Sequence, residues 1–454
     1  MIKKCLRLLY SMNRVKFVWL IFAVAFALRV LVIFVAGNFQ NPRTYEHGAI
    51  AHNLLTGHGY AMHWPYEPLD SARIRIMQSP PVFESSYQPP LNPYIMYGAY
   101  LLLGEGPKAY LALMLFYAAC NSLIGVIQYY AVKEFAGESL SRSTAIVSAF
   151  FIPAAFSVTT FSGSPLYIVV VATLMLFALR ISRDPSWKNF ILFGFISGVS
   201  MLLRSELFAL GFTILAASAM LALQRASRND IFKRAVVAAV CSLIIIGPWT
   251  IRNYELFHKF VPTVDRPWHE IWRGNNALST PSGVNSDGTV VWLKPWLFPK
   301  LVHTADSIPY DQYFVIRLDS VFRHEAITYV RSHPSQTLAL GCRKLLMLLT
   351  FSINFNERST HAFDFIYPFS MLALTFPTLI GIAYLLRRRS NPRLWNAGIL
   401  YTLFLIFYCG ISFITFVIPR YQIYIFAVLT PIAIIGYDSI WTLIKKRTVF
   451  ALHP

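Results

Sequence analysis

One carboxylate in this chain stands where it could act as a base at a membrane surface. Tyr45-Glu46 precedes Ile50-Ala51-His52-Asn53-Leu54-Leu55, whose apolar spacing predicts a short helix, and Gly57-His58-Gly59-Tyr60 ends it. Glu46 lies only about eight residues beyond the first long apolar run, so this helix rests on the membrane surface. A carboxylate so placed can take a proton from a hydroxyl, or it can merely complement the positive end of the helix dipole. A second acid opens Glu84-Ser85-Ser86-Tyr87-Gln88-Pro89-Pro90-Leu91-Asn92-Pro93-Tyr94. The prolines stiffen a turn before an apolar helix over 94–103. The stretch is either a rigid loop anchor or a pocket wall with Glu84, Gln88 and Asn92 as polar contacts. Four cations sit at the ends of apolar runs: Arg204 beside Glu206, Arg252 with Asn253 after Gly247-Pro248-Trp249, Lys344, and Arg420 with Tyr421. Together on one face they suit the phosphate of a lipid headgroup; singly each reads as a snorkelling anchor. Arg29, inside the first apolar run, requires a buried acid or carbonyl as partner.

The elements that must position these residues are membrane helices. The 454 residues are 56% hydrophobic and 13% charged, against roughly a quarter charged in soluble chains, which excludes a soluble or disordered protein. A hydrocarbon core of ~30 Å needs about 20 helical residues. Phe17–Asn38 is the first span; it follows Lys3, Lys4, Arg7, Arg14 and Lys16 and is too long for a cleaved signal. Further spans are expected at 110–131, 143–161, 164–180, 189–204, 206–223, 235–250, 365–386, 394–417 and 421–443, ten in all with both termini in the cytoplasm. The apolar 339–353 is interrupted by Arg343-Lys344 and is read as perimembrane or re-entrant.

The net charge of +19 follows this topology: the cytoplasmic pieces hold 21 bases against Glu134, Glu138, Asp184 and Asp230, a surplus of 17. That is a positive-inside signature and not a nucleic-acid footprint. The outer stretch 251–338 is balanced, with nine bases and eight acids. Outside the membrane lie 39–109 and 251–364, whose Trp64, Trp268, Trp272, Trp292 and Trp296 suit an interface layer. No P-loop, dinucleotide-binding or zinc motif occurs. The five cysteines are scattered, and His47, His52 and His58 cluster only loosely.

The order of these pieces resembles the GT-C superfamily of membrane glycosyltransferases and, more narrowly, is similar to glycosyltransferase family 39, which includes protein O-mannosyltransferases and the lipid A aminoarabinose transferase. The matching stretches are Tyr45-Glu46 with the helix and turn that follow, Pro89-Pro90-Leu91-Asn92-Pro93-Tyr94, Leu202-Leu203-Arg204, Gly247-Pro248-Trp249-Thr250-Ile251-Arg252-Asn253-Tyr254, Trp272-Arg273-Gly274-Asn275, His333-Pro334 followed by Lys344, and Arg420-Tyr421. The resemblance implies a single all-α GT-C-type domain over 1–454, about ten transmembrane helices with outer perimembrane helices. It implies transfer of a hexose or pentose from a polyprenyl-phosphate-linked donor to a glycan, lipid or protein acceptor on the extracytoplasmic face. It places the catalytic acid at Glu46. Many members have an adjacent Asp-Glu pair where this chain has Tyr45-Glu46, so Glu84 is the candidate second carboxylate. Arg204, Arg252, Lys344 and Arg420 are the candidate phosphate ligands, with Tyr45, Gln88, Asn92, Asn253 and Tyr421 as further substrate contacts. No cofactor is demanded, and a divalent cation is left open. Membrane lipids are the expected surroundings, nucleic acid is no partner, and the compact chain fits a bacterial inner membrane. A transporter or flippase of lipid-linked sugars is the main alternative, although polar residues at mid-membrane in broken helices would mark it better. A non-catalytic binder of polyprenyl phosphate is the other.

Overall fold

The computed structural model describes residues 10–62, 82–283, 299–351 and 361–451, and the expected interface residues Trp64, Trp292 and Trp296 lie outside them. The described residues form helices joined by turns: α1 (Arg14–Ala36), α2 (Tyr45–Leu55), α3 (Leu91–Leu103), α4 (Pro107–Lys133), α5 (Glu138–Ala149), α6 (Ile152–Phe156), α7 (Ser164–Arg183), α8 (Trp187–Met201), α9 (Glu206–Ala222) and α10 (Arg228–Phe257). After these come α11 (Pro267–Gly274), α12 (Pro299–Ser307), α13 (Phe314–Ser332), α14 (Pro334–Leu349), α15 (His361–Arg387), α16 (Pro392–Ile414) and α17 (Pro419–Ala451). Several starts are set by short polar side chains: Asn13 accepts from the Val15 amide, Ser227 from that of Asp230, and Asn391 from those of Arg393 and Leu394.

Among the described residues, seven helices are long and apolar enough to cross a membrane: α1, α4, α7, α10, α15, α16 and α17. The chain is an integral multi-pass membrane protein with the expected all-helical bundle. Three of the ten expected spans take another form. The segment 143–161 is not one helix but the pair α5 and α6 with its following turn, bent by 46°. The expected spans 189–204 and 206–223 are helices of 15 and 17 residues. Apolarity alone marked these three; what it did not show is where each helix stops.

The directions of the segments nonetheless alternate. At one end, the basic face, Glu134 after α4 pairs with Arg180 and Arg183 of α7 at 3.1 Å each, and Arg234 of α10 donates to the Pro185 carbonyl between α7 and α8. At the other, the loop face, Arg204 between α8 and α9 stands over the rings of Tyr167 and Tyr421, which open α7 and α17. Cysteines introduced at Arg228 and Ser390 should therefore react with an impermeant maleimide from one side of sealed vesicles, and at Gly104 and Lys259 from the other. Labelling of Lys259→Cys and Ser390→Cys from the same side would overturn this arrangement.

Buried polar side chains repair the broken helices. Pro431 inside α17 lacks the amide that the Ala427 carbonyl needs, and Gln128 of α4 donates to Ala427 O at 3.1 Å and Val428 O at 3.2 Å. Arg29 of α1, fully buried, finds carbonyls and not an acid: it donates to Ala25 O and to Ala149 O, the last carbonyl of α5 before the bend, and its Nε bonds Asn121 at 2.7 Å. On the loop face two apolar clusters fasten the non-spanning helices. Ile50, Tyr60, Met62, Tyr87, Trp249 and Val315 tie α2 and its turn to the ends of α10 and α13. Trp272, Phe314, Leu318 and Phe322 tie α11 to α13.

Candidate functional site

Glu46 lies in the first turn of α2 and is half-buried. The preceding Tyr45 takes φ 53°, a conformation that costs a non-glycine residue about 1 kcal/mol or more. Its ring lies under Arg43 at 4.9 Å. Neither Glu46 nor Thr44 caps the helix through a side-chain hydrogen bond, and among the described residues the Glu46 carboxylate has no hydrogen-bond or ion-pair partner. The next residue, His47, is buried and points back into the protein. Burial pushes its imidazole down to about 4; Glu46 opposes this, and Arg204 and Arg420 add to it. Those influences bring residues from three distant parts of the sequence to one place.

Arg204 is held by Glu206 at 2.6 Å and faces the rings of Tyr167, Tyr421 and Tyr424 at 5.3 to 6.0 Å. Arg420 lies over Tyr421 at 5.6 Å. A third guanidinium joins them from α11: Arg273 packs on Phe416 at 4.1 Å and donates to Gly283 O. Burial lowers the pKa of Arg273; Glu270 and Tyr421 act against that, while Arg420 and Arg266 reinforce it. Arg204 and Arg420 thus flank Tyr421, and Arg273 packs on Phe416, whose ring lies 6.0 Å from that of Tyr421. Like charges held close repel one another, and Glu206 beside Arg204 and Glu270 beside Arg273 offset part of that repulsion.

The approach of α11 to this place depends on Gly274, where a Cβ would collide with the Thr415 carbonyl. Lys344 locks the same junction. Its ammonium, fully buried, donates to Gly274 O at 2.8 Å and Phe413 O at 3.2 Å, and burial lowers its pKa to about 8. Two of its three donors are thereby taken, and the residue expected as a phosphate ligand is a tether between α11 and the end of α16.

Other expected contacts also have structural work. Arg252 donates to Ser85 O at 2.8 Å, Ser86 Oγ at 3.2 Å and Tyr60 O at 3.4 Å, pairs with Glu84 at 3.3 Å and stacks on Trp249. Asn253 is buried, accepting from Ser86 Oγ and donating to Val261 O. These two clamp the 84–86 loop onto α10. Glu84, the candidate second carboxylate, is exposed, faces Arg252 and lies against Gly59, whose φ of 74° and missing Cβ make room for it. Asn92 is buried, accepting from the Tyr117 hydroxyl and donating to the Phe161 carbonyl. Gln88 contributes its carbonyl to the Tyr60 hydroxyl. The histidines do not converge: His52 pairs with Glu105 at 2.6 Å and His58 with Thr56. Arg252→Ala should lower thermal stability by about 2–3 kcal/mol, since it strands several acceptors of a charged donor, and a melting curve read by tryptophan fluorescence tests this. An unchanged melting temperature would show that the clamp is dispensable.

Sequence reasoning passed over Asp265, Arg266, Glu270 and Asp319, and left Arg273 outside the site. The balanced charge over 251–338 served only to place that stretch outside the membrane, yet these residues are arranged in pairs and caps. Asp265 is buried and accepts from the Ser86 amide at 2.9 Å. Asp319 accepts from the amides of Trp268 and His269 at 2.9 Å each, capping α11 from a distance. Glu270 is held well below the usual carboxylate range: burial works against this, but His269, Arg266 and Arg273 outweigh it.

Burial raises Asp265 to about 6 and Asp319 to about 7, against an ordinary 3.8, although hydrogen bonds hold both down in part. An acid whose folded value is raised takes up a proton on folding. Its contribution is full below pH 3.8 and drains away as pH climbs through 6 and 7. Asp319→Asn keeps an acceptor for both amides without a charge to bury. The variant should flatten the decline in melting temperature between pH 5 and 7.5. Parallel wild-type and variant curves would refute this assignment.

With this geometry in view, comparison with known proteins agrees in fold. Residues 87–251 match the family model described as dolichyl-phosphate-mannose-protein mannosyltransferase. No curated protein sequence matches the chain. The oligosaccharyltransferase of Archaeoglobus fulgidus, tethered with an acceptor peptide containing the NVT sequon, superimposes with a TM-score of 0.52 at 14% identity, over 94% of this chain and 50% of that one. The AglB oligosaccharyltransferase from the same organism, in complex with an inhibitory peptide and a dolichol-phosphate, gives 0.52 at 14% identity over 97% and 52%. ArnT from Cupriavidus metallidurans bound to undecaprenyl phosphate gives 0.41 at 14% over 94% and 78%. The chain spans about half the length of the oligosaccharyltransferases it matches. The GT-C resemblance read from the sequence holds for the fold, and the family 39 resemblance for 87–251.

Proposed function

We propose that the protein transfers a sugar from a polyprenyl-phosphate-linked donor to an acceptor at the extracytoplasmic face of a bacterial inner membrane. The observation that carries this reading is the convergence of Arg204, Arg273 and Arg420 on Tyr421 beside the half-buried Glu46. In the reaction, Glu46 takes the proton of the acceptor hydroxyl as its oxygen bonds the anomeric carbon. The bond between that carbon and the phosphate oxygen breaks, and the polyprenyl phosphate leaves with an added negative charge. Arg273 and Arg420 face that charge with fixed donors, which need not reorganise as it develops. Arg204 is already half-compensated by Glu206 and holds Tyr421 in place. The likeness in fold to an oligosaccharyltransferase in complex with a dolichol-phosphate supports a lipid-linked donor. Nothing in the site selects hexose over pentose.

A photoreactive polyprenyl phosphate offered to the purified full chain in detergent tests the reading. Crosslinks should fall on α11 and the first turn of α17, and unlabelled polyprenyl phosphate should suppress them. Crosslinks confined to other helices would remove the site, and with it the proposed transfer.

A further inference from the structure

At the basic face, at the opposite end of the bundle from Glu46, four elements enclose a small cavity. It is lined by Glu134 after α4, Ser182 and Arg183 at the end of α7, Arg225 after α9, and Arg393 and Asn396 in the first turns of α16. Three guanidiniums face one carboxylate, and that carboxylate is already shared between Arg183 and Arg180. Among the described residues Arg225 and Arg393 have no ion-pair partner. Asn396 is 5% exposed, and its Oδ1 has no hydrogen-bond partner. A buried amide left unsatisfied costs about 1–3 kcal/mol, so its place on the wall of a cationic cavity calls for a polar guest. The amide can turn either its oxygen or its nitrogen inward, because the two ends are nearly the same shape. The inner void is about 10 Å³, room for a single oxygen-sized atom. An apolar chain does not fit it, whereas one oxygen of a tetrahedral oxyanion does.

We infer that this cavity binds a phosphate oxyanion, seating one oxygen against Asn396 with Arg225 and Arg393 closing over the others. Arg183 lends the remaining positive charge. The location between membrane helices, at the face where anionic headgroups gather, suits the phosphodiester of an anionic phospholipid. A free phosphate presents the same oxygens, so the two sources must be separated by experiment. The proposal does not depend on the sugar-transfer reading, since it shares no residue with that site.

The test uses the full chain in neutral detergent. Native mass spectrometry after exposure to equal amounts of phosphatidylglycerol and phosphatidylcholine measures retained lipid. Equilibrium dialysis with radiolabelled inorganic phosphate measures the free ion. The wild type should retain phosphatidylglycerol selectively, and Arg225→Gln and Arg393→Gln should each weaken that retention by roughly fivefold. Asn396→Leu should weaken it without any change in charge. Arg388→Gln with Arg389→Gln removes two charges from the same face but outside the cavity, and should leave retention unchanged. Saturable binding of inorganic phosphate without lipid selectivity, lost in the same cavity variants, would assign the site to the free ion. Equal loss from the Arg388/Arg389 control, or selectivity that survives every cavity variant, would overturn the proposal. Should Asn396→Leu fail to fold, the exposed Arg225 and Arg393 variants still decide it.

Discussion

Glu46→Gln should express, insert and bind donor lipid close to normally, yet transfer sugar at least 10²-fold more slowly, the lower end of what a positioned general base contributes. Two observations lead to so large an effect from one atom pair. The carboxylate stands in the first turn of α2, half-buried, with no partner among the described residues, so its lone pairs are available to a hydroxyl. A purely electrostatic role at the helix N-terminus would be worth only ~0.3–1 kcal/mol of stability and would leave the chemical step alone. Glutamine keeps the size of the side chain and one acceptor oxygen but cannot hold the proton. Single-turnover transfer from a radiolabelled lipid-linked sugar separates the two roles, because it reports chemistry after binding. Transfer at the parental rate would make Glu46 structural. Glu84 would then be the next acid to replace, despite its exposure and its pairing with Arg252.

Arg273→Gln and Arg420→Gln should each weaken binding of a polyprenyl phosphate by ~1.5–3 kcal/mol, or about 10- to 150-fold, the scale of a charge-assisted hydrogen bond. The double variant should lose less than the sum, because each arginine relieves the other of repulsion when it is removed. Lysine replacements sharpen the test: a point charge in place of a planar fork should recover part of the affinity at Arg420. At Arg273 lysine should recover less, since the stacking on Phe416 goes with the guanidinium. Arg252→Gln is the contrast. Its donors are directed at Ser85, Ser86, Tyr60 and Glu84, so stability should fall while lipid affinity holds. Unchanged affinity in both the Arg273 and Arg420 variants, with the fold intact, would exclude the α11–α17 cluster as the phosphate site.

Arg252 and Arg273 show what could be read from the sequence and what could not. Both are arginines beside tryptophan at the edge of an apolar region, and nothing in residue type separates them. The difference lies in pairing across long stretches of chain: Arg252 meets 84–86, whereas Arg273 meets Phe416 and Tyr421. Apolar runs reported which segments are helical because burial in lipid depends on composition. They did not report that 143–161 is broken, since the donor to the last carbonyl before the break comes from Arg29 of α1, itself held by Asn121 of α4. Asp319 was invisible for a related reason. An ordinary surface acid and a remote helix cap have the same local sequence, and only the fold sets Asp319 against the amides of Trp268 and His269.

The two short helices α8 and α9 have a mechanical consequence. With 15 and 17 residues they reach about 23 and 26 Å, less than a hydrocarbon core of ~30 Å. Their tip carries Arg204, so the hairpin either draws that charge below the headgroup plane or pulls the plane down to meet it. Where the plane is pulled down, a polyprenyl phosphate bound as proposed would be lowered towards Tyr421 without leaving its leaflet. The protein would then act as a caliper of its own bilayer. Turnover should fall as the acyl chains of the host membrane are lengthened, because the cost of the dimple rises with each added ångström of mismatch.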